Sequence, residues 1–73
     1  MRDEKRIPTF CKQLQVYWKE DIPDWRFGQF MSNFLGWVVE KTKRDIFFIE
    51  DNEMSELLDE FFKKSGNKTE INS

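Results

Sequence analysis

Apolar positions along the chain fall into three helical stripes separated by two polar breaks. From Ile7 they recur at Phe10, Cys11, Leu14, Tyr17 and Trp18, the three-and-four spacing of one helix face. Pro8 suits the first position of such a helix, where its missing N–H would have had no partner. The spacing predicts helix one over roughly residues 8–20. Asp21-Ile22-Pro23-Asp24 is the break: Pro23 restricts Ile22 to extended backbone, and Asp24 is placed to cap the second helix. The second stripe, Phe27, Phe30, Met31, Phe34, Leu35, Trp37 and Val38, is wider than the first. It predicts a helix over roughly 25–40 that touches neighbours on two sides and is therefore central. Gly28 and Gly36 each weaken that helix by about 1 kcal/mol relative to Ala, which points to close approach of another helix, or of a partner's backbone. The third stripe, Met54, Leu57, Leu58, Phe61 and Phe62, predicts a helix over roughly 52–64, capped by Asp51 and stopped by Gly66. Glu53 in its first turn and Lys63 and Lys64 in its last complement the helix dipole.

Between the second and third stripes lies a basic connection, Lys41-Thr42-Lys43-Arg44, and then Asp45-Ile46-Phe47-Phe48-Ile49-Glu50. The latter run is too short for a helix of its own and rich in β-branched and aromatic residues, so it reads as extended. A lone strand has no ladder partner within the chain, and its backbone groups must meet water, side chains or another molecule. Extended backbone would turn Phe47 and Phe48 to opposite faces, leaving at least one exposed. The expected fold is all-α: a compact three-helix domain with a short extended aromatic segment before the last helix. Residues 1–6 form a charged lead-in, 7–65 the single helical domain, and 66–73 a flexible polar tail that contains the pattern Asn67-Lys68-Thr69.

Length sharpens this picture. A chain of 73 residues holds one domain and buries only about 60% of the surface its unfolded form exposes. Eight Phe, three Trp and one Tyr give it a core nonetheless. The formal net charge is −2, too near balance to draw the chain to nucleic acid or anionic lipid. The charge is unevenly spread, with five basic and three acidic residues in 1–20 against two basic and six acidic in 50–64. Cys11 is the sole cysteine, so no internal disulfide staples the domain, and a reducing cytoplasm is the expected setting. No apolar run approaches the roughly 20 residues that span a bilayer.

Two strings carry a family resemblance. Pro23-Asp24-Trp25-Arg26-Phe27-Gly28-Gln29-Phe30, followed by Asp45-Ile46-Phe47-Phe48-Ile49-Glu50-Asp51-Asn52-Glu53, resembles a group of short uncharacterised proteins of Gram-positive bacteria and their phages or prophages. In that group a Pro-Asp-x-Arg-x-Gly-Gln run opens one helix and a Phe-Tyr-Ile-Glu-Asp-type run opens the last. An aromatic helix ending in Trp precedes both, a place taken here by Tyr17-Trp18. The similarity covers about residues 10–62, with a longer link at Val39–Arg44. It implies a fold and a genomic setting, and no reaction.

The chemistry-bearing residues assemble poorly for catalysis. There is no histidine, no Gly-rich phosphate loop, and Cys11 falls on the apolar face of helix one, where it reads as core. Glu50, Asp51 and Glu53 lack calcium-loop spacing and suit a helix N-terminus anyway. Neither enzymatic activity, nor a cofactor, a metal or a small-molecule substrate is expected. Trp25 beside Arg26 and Gln29 is different. If it does not fold back over helix one, it is an exposed aromatic next to a cation, the residue types that dominate interface hot spots. With Phe47, Phe48 and the acidic Glu50, Asp51 and Glu53, it nominates a protein-binding surface. An acidic third helix can also imitate nucleic acid in a basic groove. The expectation is a small regulator or inhibitor that binds a larger protein. Two alternatives stand beside it: a nucleic-acid accessory protein using Lys41, Lys43 and Arg44, and a structural protein that self-associates through 45–50.

Overall fold

Helix α1 spans Arg6–Asp21, α2 Phe27–Thr42 and α3 Asp51–Gly66, with a single 3-10 turn, Ile46–Phe48, between the last two. They are seen in a computed structural model that describes residues 2–66, so of the tail expected at 66–73 only Gly66 is described, as the last residue of α3, and the Asn67 pattern lies outside the described residues. The all-α, three-helix expectation holds, with element boundaries displaced by one or two residues.

Those displacements change the caps. Pro8 sits in the first turn of α1, two residues inside it, where a missing N–H is still harmless. Asp24 does not cap α2. The cap position is Arg26, whose backbone N–H donates to Gln29 Oε1 at 2.8 Å. Asp51 is the first residue of α3 and pairs with Arg6 rather than capping. At the end of α2, Lys43 takes left-handed backbone (φ 56°) and still donates its N–H to Val39 at 2.8 Å, which turns the chain sharply away.

The order of side-chain pairs sets the topology. Arg6 meets Asp51, Gln13 meets Ser55, and Tyr17 meets Asp59, so α1 and α3 run parallel. Phe30 meets Phe62, Phe34 meets Phe61, and Lys41 meets Glu60, so α2 crosses α3 steeply, its length from Phe30 to Lys41 passing one short stretch of α3. The central helix is therefore α3 and not α2, because α3 packs against both others while α1 and α2 diverge from each other.

The core is built from α2 and α3. Phe30, Phe34, Val38, Leu57, Leu58 and Phe62 are buried, joined by Ile49 from the connection. Each such side chain contributes about 1.5–3 kcal/mol by leaving water. Its rings meet edge to face: Phe30 on Phe62 at 5.7 Å and Phe34 on Phe61 at 5.4 Å, a favoured aromatic geometry. Helix α1 contributes no fully buried residue. It docks on α3 through a polar seam, where Gln13 and Ser55 exchange hydrogen bonds and the Tyr17 ring stacks on Phe62 at 4.4 Å.

The two helix glycines do not serve close packing. A Cβ built on Gly28 or Gly36 would meet nothing within 4 Å, because both lie on the outer side of α2. Cys11 is likewise no core residue. It is exposed, since α3 covers the Phe10 and Tyr17 side of α1 and leaves the Cys11 side open.

Candidate protein-interaction surface

The aromatic segment owes its shape to Asp45. Its Oδ1 accepts from the Phe47 N–H at 3.0 Å and its carbonyl from the Phe48 N–H at 3.0 Å, closing one 3-10 turn flanked by extended backbone at Asp45 and Ile49. The turn satisfies locally the backbone groups that a lone strand would have left open. A 3-10 turn has three residues per revolution. Ile46 and Ile49 therefore share one side and turn inward, Ile49 into the core and Ile46 against it. Phe47 and Phe48 are left together on the outer side, 81% and 71% exposed. They do not face opposite ways. Their rings meet edge to face at 5.0 Å and form one projecting apolar knuckle.

Apart from Asp45, whose carboxylate holds the turn, the charged residues bracketing the knuckle are paired. Arg44 holds Glu53 at 2.6 Å and Arg2 holds Glu50 at 2.9 Å, while Arg6 binds Asp51. An exposed apolar centre among satisfied charges is the layout of an interface hot spot with a polar rim. The same pairs occupy the three carboxylates considered for a cation. Among the described residues no group of three or more His, Cys, Asp or Glu side chains is gathered for metal binding. A hollow of about 520 Å³ at the start of α1 and α3 is lined by these same pairs, Arg2 with Glu50 and Arg6 with Asp51, and by Phe10.

The basic residues at the end of α2 are also spoken for. Lys41 pairs with Glu60 at 2.8 Å and sits 5.7 Å over the Trp37 ring, Lys43 pairs with Glu40 at 2.8 Å, and Arg44 with Glu53. They do not form a free cationic patch. Nor is α3 a bare acidic face, since Asp51, Glu53 and Glu60 all hold cations.

The remaining candidates lie at the opposite end of α2. Trp25 folds back against the core, half-buried, and its carbonyl accepts from Trp18 Nε1 at 2.9 Å. This pins the α1–α2 turn. Arg26 and Gln29 are exposed beside it. The structure therefore separates the candidates into two places: Trp25, Arg26 and Gln29 at the start of α2, and Phe47, Phe48, Glu50, Asp51 and Glu53 around its far end.

Sequence reasoning missed a groove between α1 and the start of α2. Cys11, Leu14, Trp18, Trp25, Phe27 and Met31 line its apolar walls, and Lys19 is the charged residue in its lining. Its volume is about 670 Å³. The Phe27 ring, 61% exposed, stands 5.9 Å from that of Trp18. The signal was the breadth of the first stripe. Phe10 and Tyr17 are enough to meet α3, which left Cys11 and Trp18 facing elsewhere.

Comparison with protein-family models, curated proteins and solved structures finds no match to this chain. No helix among the described residues is long and apolar enough to cross a membrane.

Proposed function

We propose that this chain is a non-enzymatic protein-interaction module, a small regulator or inhibitor that acts by inserting the Phe47–Phe48 knuckle into an apolar pocket of a larger protein. The observation that carries the reading is the knuckle itself. Two phenylalanines stand 81% and 71% exposed although a domain this small has every reason to bury them. They are held by the Asp45 turn, so little conformational freedom is lost on docking. In keeping with the sequence resemblance, we take the setting to be the cytoplasm of a Gram-positive bacterium, with the gene its own or a phage's. The pairing of Lys41, Lys43 and Arg44 gives the nucleic-acid alternative no support.

The test is affinity capture from host lysate with the full chain and with Phe47→Ser/Phe48→Ser. A protein retained by the wild type and lost with the double variant is the expected result. Equal capture by both folded proteins would remove the knuckle from the interaction.

A further inference from the structure

We draw no further inference here: the strongest candidate, the apolar groove between α1 and the start of α2 lined by Leu14, Trp18, Trp25, Phe27 and Met31, carries nothing because nothing in the structure shows what covers it.

Discussion

Tyr17 donates its hydroxyl to Asp59 Oδ1 across 2.6 Å, so the seam between α1 and α3 is closed by a phenol held against a carboxylate. Desolvation, the hydrogen bond to Asp59 and the negative charges of Asp59 and Asp21 raise the Tyr17 pKa from 10.0 to about 12. The folded state thus holds this proton more tightly than the unfolded one. Its contribution to stability is complete below pH 10 and is lost as pH rises toward 12. Tyr17→Phe keeps the stack on Phe62 and removes the donor, at a cost of about 1–2 kcal/mol at neutral pH. Urea unfolding between pH 8 and pH 12 checks both statements. The wild type weakens above pH 10, and the variant loses the part of that slope that belongs to this phenol.

The same seam shows what could be read from the sequence and what could not. The three stripes specify three helices because burial repeats with the helical period, and Phe30, Phe34, Leu58 and Phe62 are buried where the stripes place them. Which helix is central was not legible. Stripe width counts apolar residues, while α1 meets α3 through Gln13, Ser55, Asp59 and the Tyr17 hydroxyl, polar groups that no hydrophobic pattern weighs. The knuckle was half legible. Phe47 and Phe48 were marked as anomalous by composition, but their shared direction depends on Asp45 accepting from the Phe47 and Phe48 N–H groups, which converts a two-residue alternation into a three-residue turn. The groove left only an indirect trace in the sequence, the surplus apolar width of the first stripe at Cys11 and Trp18, since it exists only because α1 and α2 diverge.

Gly28 and Gly36 are exposed helix positions with open space where a Cβ would stand. Nothing in the folded monomer compensates for their poor helix propensity. Gly28→Ala and Gly36→Ala should each stabilise the domain by about 1 kcal/mol. Eight residues apart, about 12 Å along α2, the two gains should add. Chemical denaturation of both single variants and the double variant measures this. Stabilised variants with undiminished partner capture would dispose of the idea that the glycines admit a partner's backbone. Stabilised variants that no longer bind would support it.

A domain of this size has a total stability of about 4–11 kcal/mol, so buried and exposed phenylalanines should separate sharply. Phe34 is 2% exposed and lies between Trp37 and Phe61. Phe34→Ala removes transfer energy and leaves a cavity, a loss of about 3–5 kcal/mol that consumes much of the stability available. Phe47→Ser/Phe48→Ser touches rings that are already in water and should change stability by no more than about 0.5 kcal/mol per site. The inward Ile46 and Ile49 and the Asp45 bond remain to hold the turn. Thermal melts of the three proteins at low concentration test this contrast. If the knuckle variant melts as early as Phe34→Ala, the two rings hold the monomer together and are not a surface kept for a partner.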